Sequence, residues 1–88
     1  MAIKLTTGYY PITDHKGYEV EFPADVQAES NVAVSICEID SAGQPFQGLA
    51  SCRVDNVVPG NGHLRVRGEI GWDADLNCWL NWIAATET

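Results

Sequence analysis

The sequence predicts an all-β domain, a small antiparallel meander of five or six strands closing into a barrel or sandwich. Two observations carry this reading. Turn signals recur along the chain, at Thr13-Asp14-His15-Lys16-Gly17, Pro23-Ala24-Asp25, Ser41-Ala42-Gly43-Gln44-Pro45, Pro59-Gly60-Asn61-Gly62 and, more weakly, Asp73-Ala74-Asp75-Leu76-Asn77. Between them lie short runs rich in Val, Ile, Tyr, Phe and Trp, the composition of strands on a pleated, half-buried surface.

Taken from the N-terminus, residues 3–10 and 18–22 predict a hairpin around Asp14–Gly17. In its second arm Glu19 and Glu21 alternate with Tyr18, Val20 and Phe22, as a half-buried strand should. Residues 24–30 suit a loop or a single helical turn. Four further strands follow at 32–40, 46–58, 64–72 and 78–84, each expected to pair with the next.

Register can be tested on the hairpin 49–58/64–72. If Val58 faces Leu64, Asp55 faces Arg67 and Arg53 faces Glu69, two opposite-charge pairs on one face. The other face then pairs Val54 with Gly68, Cys52 with Ile70 and Ala50 with Trp72. A slip of one residue destroys both patterns, so this register is strongly specified. Extended outward, the same logic sets Ile36 against Ala50 and Val34 against Cys52, and Ile70 against Leu80 and Gly68 against Trp82. Gly71 then lies opposite Trp79, a ring covering a cross-strand glycine. All even-numbered residues of the four strands share one apolar face.

Residues 74–85 have a rival reading. Leu76, Trp79, Leu80, Ile83 and Ala84 fall at helical spacing behind Asp73 as a possible N-cap. Two Trp and two Asn are mediocre helix formers, and a strand is favoured.

With 88 residues, 45% of them hydrophobic, the chain suits one domain spanning 1–88, with a thin core that makes oligomerisation attractive. It carries 12 acidic against 5 basic residues, a net charge of −7. The first forty residues hold seven of those acids against Lys4 and Lys16, a local net of −5. Such a balance repels phosphate backbones, so no nucleic-acid partner is expected. No run approaches the roughly 18 apolar residues of a membrane span, and no apolar segment follows the N-terminus as in a signal peptide. A cytoplasmic protein with free thiols at Cys37, Cys52 and Cys78 is the expectation.

Chemical motifs are scarce. Asp73-Ala74-Asp75-Leu76-Asn77 opens like a calcium loop. It fails where the EF-hand needs Gly and Glu, for Cys78 and Ala84 stand there. His15, His63 and the cysteines show no zinc-ligand spacing, so neither metal nor cofactor is expected. No nucleophile motif, phosphate loop or dinucleotide fingerprint occurs, and Glu19 and Glu21 read as a solvated strand face. The chain is therefore expected not to be an enzyme. Its size and acidity would suit a small accessory protein of a phage or mobile element.

Aromatic and aliphatic residues carry more information. Trp72 and Trp82 fall on the expected core face. Trp79 falls on the opposite face with Ile83, and Leu49, Ile39 and Cys37 lie further across the sheet. That outer face is expected to be charged in its middle strands and apolar toward both edges. Trp79, Ile83, Leu49 and Ile39 are the candidate interface residues, for a homodimer or higher oligomer or for a basic protein surface. The alternative is a small-molecule or carbohydrate site built on Trp72, Trp82, Tyr9, Tyr10 and Tyr18.

Overall fold

The computed structural model describes residues 2–88. Among these described residues it is all-β with no helix, and holds seven strands: β1 (Ile3–Asp14), β2 (Lys16–Pro23), β3 (Asn31–Ile39), β4 (Pro45–Phe46), β5 (Ser51–Gly60), β6 (His63–Gly71) and β7 (Leu76–Glu87). They form two sheets, ordered β1-β7-β3-β4 and β2-β6-β5, with every pairing antiparallel. The strand reading of 74–85 holds, since β7 begins at Leu76. Among the described residues no helix is long and apolar enough to cross a membrane.

The meander does not hold. Only β5 and β6 form the expected long hairpin, turning at Asn61-Gly62 with Gly62 in the left-handed region at φ 87°. Strand β6 is flanked by β2 and β5, so both its edges are taken. The chain leaves it at Trp72, whose N–H turns back to the Ile70 carbonyl at 2.8 Å, and β7 inserts between β1 and β3 in the other sheet. Gly71 therefore does not lie opposite Trp79, and Gly68 does not pair with Trp82. Nor do 32–40 and 46–58 pair. Only the two-residue β4 pairs with β3, at Glu38↔Phe46 and Ile39↔Pro45.

The N-terminal hairpin is also corrected. β1 and β2 run into one another through a corner at His15, with Lys16 at φ 56°, and belong to different sheets. β1 lies along β7, and β2 along β6. Residues 24–30 form a loop that drops Val26 into the end of the core. It is held to the β5–β6 hairpin by Ala24 N–H donating to the Gly62 carbonyl (3.1 Å) and Gly62 N–H to the Val26 carbonyl (2.9 Å).

In the β5–β6 hairpin the expected register holds from Ser51↔Gly71 to Val54↔Gly68 and places Arg53 against Glu69, with Nη2 2.7 Å from Oε2. A β-bulge then intervenes at Asp55, and Asn56 rather than Asp55 faces Arg67. Asp55 instead accepts from Nε of Arg53, two residues back on its own strand (2.8 Å). A close packing contact lies beside it. Tyr18 sits opposite Gly68 in β2, and its hydroxyl donates to the Arg53 carbonyl at 3.0 Å. A Cβ on Gly68 would collide with that carbonyl and that ring. A ring over a cross-strand glycine does stabilise the fold, therefore, but at Tyr18–Gly68 and at Trp82–Gly8.

The core lies between the sheets and is made by the expected parity. Leu64, Val66, Ile70 and Leu80 have no exposed surface, and Cys78, Phe22 and Ala84 almost none. Tyr10 stacks on Phe22 with ring centroids 4.6 Å apart. There are exceptions: Trp72 is 42% exposed, because the turn after Gly71 ends the two-residue period, and past the bulge at Asp55 the alternation reverses, so that Val57 turns inward while Asn56 and Val58 face out.

Candidate functional site

Sorting each strand by the direction of its side chains separates the molecule's two outer surfaces. On the three-stranded sheet, outward positions carry Glu19 and Glu21 from β2, Arg53 and Asp55 from β5, and Arg65, Arg67 and Glu69 from β6. Ion pairs link Arg53 to Asp55 and Glu69, and Arg65 to Glu21, all of them half-exposed or more at one partner. Such pairs add well under about 1 kcal/mol each and keep a face hydrated.

The four-stranded sheet is different. The odd-numbered residues of β1, β3 and β7 point outward, as the alternating exposure shows. Among them Glu87, at the very end of β7, is the one charged side chain. Across neighbouring strands Thr7, Ile83 and Ala33 form one row, Tyr9, Asn81 and Ser35 the next, and Pro11, Trp79 and Cys37 a third. Ile3, Leu5, Tyr9 and Ile83 are each more than half exposed. Tyr9 leans over Trp79, ring centroids 4.5 Å apart at 34°, which covers much of the indole.

Polar groups on this surface are largely satisfied within it. The Thr13 hydroxyl donates to Asn77 Oδ1 (2.6 Å), the Thr7 hydroxyl to the Trp82 carbonyl (2.9 Å), and Asn81 Nδ2 to Cys37 Sγ (3.4 Å). Burying paired groups costs far less than burying unpaired ones. Small side chains at Ala33 and Ser35 leave a shallow hollow of about 290 Å3 beside Ile83.

Of the expected interface residues, Trp79, Ile83 and Ile39 all lie on this face. Leu49 does not. It sits in the 47–50 connection between β4 and β5 and is 93% exposed. Its strand fails because β4 stops at Phe46. The expected mixed outer face resolves into two faces, one charged and one neutral, since the middle strands and the edge strands belong to different sheets.

The five aromatic residues of the alternative site are not brought together. Tyr18 and Trp82 are inside the filled core, Tyr10 is partly buried against it, Tyr9 is on the neutral face, and Trp72 is in the β6–β7 loop. Burial, and after it the charge of Asp55, pushes the Tyr18 phenol up to about 12. The Cys78 thiol is likewise pushed up to about 12, by burial first and then by the neighbouring Cys52. Cys52 is raised too, by burial and by the charge of Glu38. All three cysteines are free.

One cluster was invisible in the sequence. The β1–β2 corner and the β6–β7 loop bring Asp14, His15 and Asp75 together, with their nitrogen and oxygen ligand atoms all within 4.8 Å of one another. His15 Nδ1 bonds Asp75 Oδ1, and the His15 N–H donates to Asp14 Oδ1 (2.8 Å). Asp75 thus fastens the loop to the corner, Asp14 holds the corner's own backbone, and Asn77, further along, is held by Thr13. His15 and Asp75 are sixty residues apart, and no spacing rule connects them.

Comparison with protein-family models, curated proteins and solved structures finds no match, so the functional reading rests on this chain's own geometry.

Proposed function

We propose that the protein is non-enzymatic and works by protein–protein contact through the outer face of the β1-β7-β3-β4 sheet, with a second copy of itself as the partner. The observation behind this is charge segregation. A chain of net charge −7 keeps one long sheet face free of charge apart from Glu87, while the opposite face carries ions of both signs. A solvated surface has no physical reason to exclude charge. A surface that is desolvated against another does.

Size and electrostatics fit a second copy. Strands of twelve, twelve and nine residues at about 3.4 Å each, about 4.8 Å apart, give on the order of 540 Å2 in projection. Side-chain relief brings that toward the roughly 800 Å2 per partner of a standard interface. In a face-to-face dimer the two charged faces lie on the outside, about 30 Å apart given sheet spacings of about 10 Å. That is several times the Debye length of about 8 Å at physiological salt, so their like charges are screened. A basic partner would seek the acidic residues instead, and apart from Glu87 those are absent from this face.

The test is light scattering over a range of protein concentrations and salt. Self-association through this face survives high salt and weakens at low ionic strength, where screening is lost. Trp79→Ser, which also strips Tyr9 of its stacking partner, shifts the population toward monomer. A monomer at every concentration, or a complex that dissolves as salt rises, refutes the reading. The second result would point to a basic partner instead.

A further inference from the structure

Beside the short β4 strand lies a cleft that self-association does not explain. The 45–50 segment passes over the end of β3 and leaves a hollow on each side, of about 530 Å3 and about 390 Å3. Glu38 lines both. It is the inward-facing partner of Phe46 and of Cys78 in neighbouring strands, and it is only 8% exposed. Gly48 runs directly against it, and a Cβ there would collide with the carboxylate.

This carboxylate has no counter-charge. Among the described residues, no Lys, Arg or His comes within ion-pair distance of it, and no donor hydrogen-bonds it. Lys4, Arg53 and Arg65 are engaged with Asp25, with Asp55 and Glu69, and with Glu21. No described side-chain oxygen is sealed from solvent without a partner, so what access Glu38 retains opens into the cleft. Glu38 as a residue is nine-tenths withdrawn from water, and a carboxylate so placed without a partner is costly to a fold. Stability given up at a single residue is a recurrent feature of functional sites, where a ligand can supply the missing partner.

The walls of the smaller hollow define that partner. Phe46 and Trp72 stand at its mouth, 45% and 42% exposed, with Leu49 and Leu76 beside them. Exposed aromatic rings next to a buried anion suit a cation with an apolar body, through charge pairing at one end and ring contact along the rest. The volume suits a small molecule.

We propose that the cleft between the β3–β4 hairpin and the β6–β7 loop binds a small organic amine, its ammonium group on Glu38 and its apolar part against Phe46, Leu49 and Trp72.

The test uses benzylamine as probe and benzyl alcohol as its uncharged counterpart, followed by calorimetry and by Trp fluorescence. A hydrogen bond to a charged group is worth about tenfold or more in affinity. Benzylamine is expected to bind at least about tenfold more tightly than benzyl alcohol, and Glu38→Gln to abolish that difference. The Glu38→Gln protein, freed of an unpaired buried charge, is expected to melt at the same temperature as the parent or higher. Trp72→Ala, at an exposed position, keeps the fold and weakens benzylamine. Equal affinity for the two probes, unchanged benzylamine affinity in Glu38→Gln, or a lower melting temperature for that variant overturns the proposal. So does a capped lysine tripeptide that binds tighter than benzylamine, which would assign the cleft to a protein side chain.

Discussion

Ile83 and Val58 make a matched pair on opposite faces. Ile83, 52% exposed, sits at the centre of the neutral face between Thr7 and Ala33, and Val58, 53% exposed, stands on the charged one. Burying a whole Ile side chain is worth roughly 1.5–3 kcal/mol, so the half still exposed is worth about 1 kcal/mol on association. A two-fold contact contains the residue twice, giving about 2 kcal/mol and about a 30-fold rise in the dimer Kd for Ile83→Ala. Ile83→Asp adds the desolvation of a carboxylate in each copy and is expected to exceed about 100-fold. Val58→Asp introduces the same charge where charge is already solvated, and is expected to leave the Kd within about threefold. Sedimentation equilibrium measures all three, with far-ultraviolet circular dichroism to establish that each variant is folded. If Ile83→Asp and Val58→Asp weaken association equally, net charge controls it. The assignment to the neutral face is then refuted.

The remaining predictions concern the fold and its titration. Gly68→Ala drives a methyl into the Arg53 carbonyl and the Tyr18 ring, and is expected to cost about 1–3 kcal/mol in urea unfolding. Gly17→Ala, with nothing near its missing Cβ, serves as the neutral control. Tyr18→Phe removes the hydrogen bond to the Arg53 carbonyl and should cost about 0.5–1.5 kcal/mol in the same assay. Tyr18 and Cys78 both lose their protons less readily when folded than when unfolded. Their contribution is therefore fully present below the unfolded values of about 9 for Cys and 10 for Tyr, and is lost as pH rises toward about 12. Melting temperature should fall across that window, and Tyr18→Phe should flatten the fall. A melting curve unchanged between pH 9 and 12 would contradict the burial of both groups.

Parity was legible and partnership was not. Ile70 and Leu80 were expected to meet as neighbours along one sheet. They meet in the same core from opposite sheets, because a period of two fixes which way a side chain points and says nothing of which strand lies beside it. Sequential strands pair often enough to make a meander the default. Here β6 already had two partners, and nothing in Trp72–Asp75 marks a crossing between sheets rather than a hairpin. The bulge at Asp55 was hidden for a related reason. Beside it packs Tyr18, contributed by β2, a strand assigned to another hairpin.

The same distinction governs the functional surface. Trp79 and Ile83 could be assigned to an outer face from β7 alone, and Arg53 and Glu69 to an outer face from their own hairpin. With the strands in one meander these became a single mixed surface, and its apolar parts looked like edges in need of cover. Once β7 lies between β1 and β3, every charged residue of β5 and β6 leaves that surface, and Leu5, Tyr9 and Ile3 join it from β1. Charge segregation is thus a property of topology, created when two sheets of different composition turn their backs to each other. Glu38 follows the same logic in reverse. On β3 alone it is one polar residue at an inward position near a strand end. It becomes an unpaired anion only when a two-residue β4 and the 47–50 segment close over it without bringing a cation.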